Sequence, residues 1–200
     1  TADEYLKSMY NPRVTQYLRV TGFEKKCDGA AAVVVMPTEK AKAMGVPYAP
    51  IEVLGTGASA VEAGLLHNEH WATELAAKQV YDLTGVSPDE IDLFMCNDFF
   101  LASEIVSAEE CGYIPRGEAW KYAIDGRTAF DGDKPINPHG GRCNFGHAHG
   151  ASGIADIVEA VKQMRGVAGA TQMKKVPETA FLRGFGGSQN VRCQILRTVA

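Results

Sequence analysis

Apolar side chains recur along this chain in two rhythms, and the switches between them outline alternating strands and helices. Ala30–Met36 is continuously apolar and rich in β-branched residues, the signature of a strand covered on both faces. Pro37 stops it, and Thr38–Met44 reads as a short helix with Thr38 as its N-cap. Pro50–Leu54 is a second strand that ends in GTGAS. Helical spacing of Leu75, Ala76, Val80 and Leu83 marks Trp71–Thr84, and Gly85 is a natural stop. Ser87–Glu90 reads as a turn or capped helical turn, Ile91–Cys96 as a third strand, and Phe100–Cys111 as a helix closed by Gly112. Ala151–Arg165 carries Ile154, Ile157, Val158, Val161 and Met164 on one stripe, an amphipathic helix. Thr179–Arg183 and Val191–Arg197 are strands flanking the turn GFGGSQ.

Before these elements, Ala2–Met9 reads as a short helix ended by Asn11-Pro12, and Val14–Val20 as an extended connector. Tyr113–Cys143 is rich in Gly, Pro and Asp and has little periodicity beyond a short helix near Glu118–Ala123. An irregular stretch that long is usually functional or disordered. Strands alternating with helices predict an α/β architecture with a mixed, mostly parallel sheet, the final strand pair forming an antiparallel edge. The expected division is a connector over residues 1–28 and one domain over 29–200.

Composition narrows the function class. Of the 200 residues, 46% are hydrophobic and 22% charged, and the net charge is −4 without any Lys/Arg cluster, so nucleic-acid binding is not expected. No apolar run approaches the roughly 20 residues of a membrane span, and the opening TADEYLKS has no signal-peptide pattern. Cys27, Cys96, Cys111, Cys143 and Cys193 are odd in number, widely spaced and free of any CxxC. That speaks against a disulfide scaffold and for a reducing cytoplasm. The chain opens on Thr1 inside a helix signal, which leaves a fragment, a processed chain and one subunit of a split protein as open readings.

Three segments could carry chemistry. In GGRCNFGHAHGASG, His147 stands at the start of the amphipathic helix, where unpaired N–H groups and the helix dipole favour a neutral imidazole able to donate to a developing oxyanion. A glycine-rich loop with a capping histidine is the plainer reading. His139, His147 and His149 fall within eleven residues, yet no Asp, Glu or Cys completes a familiar zinc spacing, so no metal is expected. In MCNDFF, Asn97 and Asp98 follow a buried strand at its carboxyl end, where open α/β sheets place their ligands; capping of the next helix would serve equally well. In RGFGGSQ, consecutive glycines after a strand form either an anion-binding nest or a tight turn.

Taken in order, these segments resemble the thiolase family, and within it the sterol-carrier-protein-thiolase-like branch. The resemblance rests on NDFF (Asn97–Phe100), NPHGG (Asn137–Gly141), GHAHGASG (Gly146–Gly153) and GFGG (Gly184–Gly187), with CDGAAAVVV similar to the family's opening C-domain strand. It implies the C-terminal half of the thiolase fold, layered αβαβα with helices on both faces when complete. It also implies half of a site for Claisen-type cleavage or condensation of a coenzyme A thioester, which is substrate rather than resident cofactor. By carry-over, His147 donates to the thioester enolate, Asn97 holds a water on the same oxygen, and the backbone N–H of Gly186 serves a second oxyanion hole. Gly146 and Phe100 are the implied thioester contacts.

Two departures shape the expectation. The family's nucleophilic cysteine belongs to its N-terminal half, and none of the five cysteines here occupies that motif. The hairpin cysteine that shuttles protons is replaced by Gly184. Cys143 is a substitute acid/base, with Cys96, His139 and His149 as others, although buried cysteines are more often core. A thiolase-fold aldolase and a non-catalytic acyl-CoA-binding or scaffold subunit are therefore the rival readings. Gly146–Arg165 is expected to be buried against an N-terminal half, in the same or another chain, within a homo- or hetero-oligomer. Some members of the branch also work with a small zinc-ribbon/OB-fold protein. Tyr113–Asp133 is expected to line the acyl pocket.

Overall fold

The computed structural model describes residues 2–60, 68–186 and 190–199. Its elements run α1 (Ala2–Lys7), α2 (Thr38–Ala43), β1 (Ile51–Ala60), α3 (Asn68–Thr84), β2 (Leu93–Cys96), α4 (Leu101–Glu110), α5 (Ala119–Ile124), α6 (Gly141–Asn144), α7 (His149–Met164), β3 (Thr179–Gly186) and β4 (Asn190–Thr198). The strands form one sheet in the order β1-β4-β3-β2. The expected mixed α/β sheet is present, but it is less parallel than the strand–helix alternation suggests. Only β2 and β3 are parallel, whereas β4 is antiparallel to both β3 and β1. The cause is local: β4 returns from β3 as a hairpin and lies between β3 and β1, so it opposes both neighbours.

The two-residue period of the strands sorts their side chains to opposite faces. Phe94, Cys96, Phe181, Cys193 and Ile195 pack with Ala72, Ala76 and Val80 of α3 and with Ala108 of α4. Leu93, Met95, Ala180, Leu182 and Leu196 face the other way, against Ala160 and Met164 of α7. On the first face the Phe181 ring sits 5.6 Å from Phe94 and 5.2 Å from Tyr81, spacings at which aromatic pairs add to simple area burial. At the free edge of β2, residues 135–137 continue the pairing. The Phe94 N–H donates to the Pro135 carbonyl, the Asn137 N–H to Phe94, and the Cys96 N–H to the Asn137 side-chain oxygen. That edge is thereby closed by the chain itself.

Three expectations need correction. The second strand does not stop at Leu54; it runs to Ala60 through the glycines. Gly57 is there for clearance, because a Cβ at this position would stand 2.1 Å from the Ala76 carbonyl oxygen of α3. Thr38 is the first residue of α2 and makes no cap; Pro37 holds that place. Most informative is Ala30–Met36, which forms no strand and joins no ladder among the described residues. Val34 and Val35 are 84% and 82% exposed. The apolar pattern asks for cover that the described residues do not provide. The tip of the GFGGSQ turn, residues 187–189, lies outside the described residues.

The tight crossing of β1 under α3 yields a stability test. Gly57→Ala forces helix and strand apart and should cost about 1–3 kcal/mol, read as a lowered denaturation midpoint of the assembled protein. An unchanged midpoint would mean that α3 does not lie on β1 this closely.

Candidate active site

The carboxyl end of β2 delivers Asn97 and Asp98, and the two side chains part there. Asn97 is buried; its Nδ2 donates to the Phe185 carbonyl at 3.2 Å, and its Oδ1 has no partner in the protein. Asp98 turns the other way and accepts the Arg142 N–H at 2.8 Å. Neither caps α4, whose N-cap is Phe100. Gly141, with φ of 60°, is required here: a Cβ would fall 2.0 Å from the Asp98 Oδ2. The NPHGG sequence is thus a loop shaped around a carboxylate.

Arg142 ties that loop to the helix beyond it. Its guanidinium is buried, donating from Nη1 to the Asp156 Oδ1 at 2.8 Å, from Nη2 to the Asp156 Oδ2, and to the Ser152 carbonyl at 3.3 Å. Burial pushes the Asp156 carboxyl up to about 6 in spite of the guanidinium. Such a pair fixes geometry, and loss of one partner leaves an uncompensated buried charge.

His147 lies two residues before α7. Its Nδ1 is 2.9 Å from the Ser152 Oγ, which also accepts the Ala148 N–H at 3.0 Å. With that lone pair committed, the serine O–H is free to donate to Nδ1, which leaves the proton on Nε2. The Nε2 faces the Glu24 Oε2 at 3.4 Å, an arrangement that favours the same tautomer. Burial, with help from Arg142 and His149, lowers the His147 pKa against the raising effect of Glu24. A neutral Nε2–H donor results.

Glu24 comes from far upstream in the sequence. Residues 23–27 pass between the two halves of the site: the Glu24 N–H donates to the Phe99 carbonyl, the His147 N–H to Lys25, and the Cys27 N–H to His147. Phe23 bridges to Phe100 and Lys26 to His147. One extended segment therefore joins the Asn97–Phe100 turn to the histidine loop. Gly146 and Phe100 both lie along it; a side chain at Gly146 would meet the Cys27 Sγ. No hydrogen bond links Asn97 directly to His147. Gly186 ends β3 in an exposed position opposite Asn190.

Other sequence candidates fall elsewhere. Cys143 is buried, its thiol donating to the Asp98 carbonyl at 3.5 Å, and burial with Asp98 and Glu104 nearby pushes it up to about 11. Such a thiol is a poor source of thiolate. Cys96 is fully buried, and burial raises its thiol in the same direction. His139 is lowered to about 4 by burial and by Arg142 and Lys162, and neither ring nitrogen has a partner. The Tyr113–Asp133 segment is anchored at the opposite end of β2. The Tyr113 hydroxyl donates to the Pro135 carbonyl, and Asp131 pairs with Lys174, next to the Lys175–Asp92 pair.

Sequence reading missed Glu24, Ser152 and Glu104. Glu104 accepts from the Asn137 Nδ2 at 3.4 Å, and burial together with Asp98 raises its carboxyl to about 7. The only signal for Ser152 was its place five residues beyond His147. Glu24 and Glu104 carried none, since each meets the site through the fold.

Three comparisons with known proteins agree with this frame. Residues 57–197 match the family described as thiolase C-terminal domain-like. The benzoylsuccinyl-CoA thiolase subunit BbsB of Thauera aromatica is 36% identical over 171 residues, covering 82% of this chain and 43% of that protein. An acetyl-CoA acetyltransferase of Methanothermobacter thermautotrophicus is 34% identical, covering 92% of this chain and 49% of that protein. A solved structure of an Ltp2-ChsH2(DUF35) aldolase superposes with a TM-score of 0.78 at 23% identity, covering 99% of this chain and 51% of that one. The chain spans about half the length of the curated relatives it matches.

Two measurements follow from the site's hydrogen bonds. Ser152→Ala removes the donor that selects the His147 tautomer, so ring-nitrogen NMR should move from an Nε2–H form toward a mixture; an unchanged spectrum would assign tautomer choice to Glu24 alone. Glu104 contributes stability when protonated. Because its folded pKa is raised from 4.5 to about 7, that stability is fully present below 4.5 and is lost as pH rises through 7. Glu104→Gln should therefore raise the melting temperature more at pH 8 than at pH 5, the difference being on the order of 2–3 kcal/mol. Equal effects at both pH values would show that Glu104 ionises normally.

Proposed function

Because the chain belongs to the thiolase C-terminal domain-like family, we propose that it supplies the enolate-stabilising half of an enzyme that makes or breaks a carbon–carbon bond beside a coenzyme A thioester. The observation that carries this reading is the setting of two buried side chains: His147, with Nδ1 engaged by the Ser152 Oγ at 2.9 Å so that Nε2 is left to donate, and Asn97, with its Nδ2 tied back and its Oδ1 unpaired.

Cleaving or forming that bond puts negative charge on the thioester oxygen. Donors aimed at that oxygen before reaction stabilise the charge without reorganising, typically contributing about 3–4 kcal/mol each. The His147 Nε2–H is the direct donor. The Asn97 Oδ1 would hold a water by accepting one of its protons, and that water would donate its other proton to the enolate. The backbone N–H of Gly186 would serve the acyl group in a second hole, beside thioester contacts at Gly146 and Phe100. No resident cofactor is needed for these roles.

The nucleophile, on this reading, comes from an N-terminal half. Support comes from surfaces that the described residues leave open: the Ala30–Met36 run, with its exposed valines, and the Gly150–Gly153–Ile154–Ile157 side of α7, where the isoleucines are half-buried. A cavity of about 430 Å³ lies between that helix and Leu182, Arg192 and Gln194. An apolar strand and helix face left uncovered would be an aggregation hazard. A second-half partner, dimerisation of the whole, a small zinc-ribbon/OB-fold companion and a cytoplasmic location belong to the same proposal. No described helix is long and apolar enough to cross a membrane.

The leading reading is thiolytic acyl transfer. Gly184 favours a second: where the family's proton-transferring cysteine is absent, a retro-aldol cleavage needs only a base for the β-hydroxyl and the same enolate hole, and the Glu24 carboxylate stands beside His147. A non-catalytic acyl-CoA-binding or scaffold role is the third reading, and it rests on Gly184 alone.

In the assembled enzyme, His147→Ala should lower kcat about 100- to 1,000-fold with little change in melting temperature. Undiminished turnover would remove His147 from the mechanism. Product analysis decides between the chemistries: acyl-CoA released only when free CoA is added supports acyl transfer, whereas an aldehyde or ketone released without it supports the aldol reading.

A further inference from the structure

Glu24, His147 and His149 come together in a way that enolate chemistry does not use. Their ligand atoms, one carboxylate oxygen and two imidazole nitrogens, all lie within 4.8 Å of one another. The Glu24 Oε2 is 3.4 Å from the His147 Nε2, and its Oε1 is 3.8 Å from the His149 Nε2. The two rings are stacked, with centroids 4.6 Å apart and planes 17° from parallel. These separations exceed those of good N–H···O hydrogen bonds, about 2.7–3.2 Å. The 3.4 Å separation is the length of a metal polyhedron's edge, since zinc ligands about 2.0–2.1 Å from a tetrahedral ion stand roughly 3.3 Å from each other; the 3.8 Å separation is longer and would shorten as His149 closes on the ion.

The geometry points to a divalent transition-metal site, with Zn²⁺ as the ion its donors suit, held by Glu24, His147 and His149. Two imidazoles and one carboxylate are a set of borderline ligands that select zinc over calcium or magnesium. The His147 ring is already oriented through Nδ1 by Ser152, the kind of outer hydrogen bond that ligating histidines make. Glu24 is delivered by the backbone pairing of residues 25–27 with His147. The His149 side chain is 69% exposed, so the remaining coordination position opens to solvent or substrate. His139, the third histidine of the stretch, is not among the ligands.

Binding has a consequence that rests on the proposed role of His147. A metal takes the Nε2 lone pair, so the ring must carry its proton on Nδ1, where the Ser152 Oγ can accept it. The Nε2–H donor is then lost. Zinc would hold the enzyme off, and its removal would restore the enolate donor.

The test titrates the assembled protein with Zn(II) in competition with a chromogenic chelator, in a Cys27→Ser background that removes the exposed thiol. One zinc per chain is expected, with affinity weakened at least tenfold by His149→Ala and by Glu24→Gln and unchanged by His139→Ala. Bound Co(II) should show a visible spectrum without a thiolate charge-transfer band. Equal affinity in the parent and His149→Ala proteins, or a thiolate band, would overturn the site. Turnover supplies the second arm, each protein being compared with its own zinc-free rate: inhibition reversed by EDTA in the parent and blunted in His149→Ala supports the off-switch. Zinc that binds through His149 without inhibiting would keep the metal site and remove the enolate-donor reading.

Discussion

The Arg142 guanidinium, almost wholly shielded from solvent, reaches Asp156 on α7 while its own backbone N–H holds Asp98 at the end of β2. Three elements meet through this one residue: the strand end that carries Asn97, the glycine loop, and the helix preceded by His147. An isolated cation at that depth would be prohibitive, and a buried carboxylate without it would be protonated and slack. The pair therefore acts less as a source of net stability than as a constraint on where the loop can run. The Ser152 carbonyl accepts from the same guanidinium, so the residue that chooses the histidine tautomer is set by the same joint. Electrostatics fixes the frame, and hydrogen bonds to His147 finish it.

The second constraint is incompleteness. A sheet needs cover on both faces. Here α3 and α4 provide it on one, while among the described residues α7, with Met173, covers the other and keeps a side of small residues open. The exposed Ala30–Met36 run makes the same point in one dimension, since its side chains are apolar and it joins no ladder among the described residues. Both features make sense if selection acted on a larger assembly. The lengths of the relatives lead to that inference by an independent route, for each is about twice as long.

Much of this was legible in the sequence, and the failures have physical causes. Periodicity located α3, α4, α7 and the last two strands, because each buries one face against a neighbour within the chain. It misjudged Ala30–Met36, since a pattern reports what a segment needs and not where the cover comes from. It ended β1 at Leu54, because glycine reads as a turn when no helix is known to pass above it. The glycine loop and its histidine were visible as a motif. Glu24 gave no sign of its place beside His147, since a carboxylate that arrives through a separate bridging segment leaves no local spacing to detect. Cys143 was weighed as an acid/base from its place four residues before His147, with a core role as the alternative, and the structure finds it buried.

Glu24 also sets the electrostatic character of the site. A carboxylate beside the Nε2 of His147 strengthens the N–H as a donor, yet it opposes a negative charge arriving at the same nitrogen. An oxyanion hole alone would be better without it. Its presence is intelligible if the site must also accept a proton or bind a cation, and the missing hairpin cysteine at Gly184 leaves the first of these tasks without an owner. The same three side chains can then be an acid/base pair in one state and a metal cradle in another, the choice resting on which nitrogen of His147 carries the proton. Ser152 is the residue able to serve both states, because its hydroxyl donates to Nδ1 in one and accepts from it in the other.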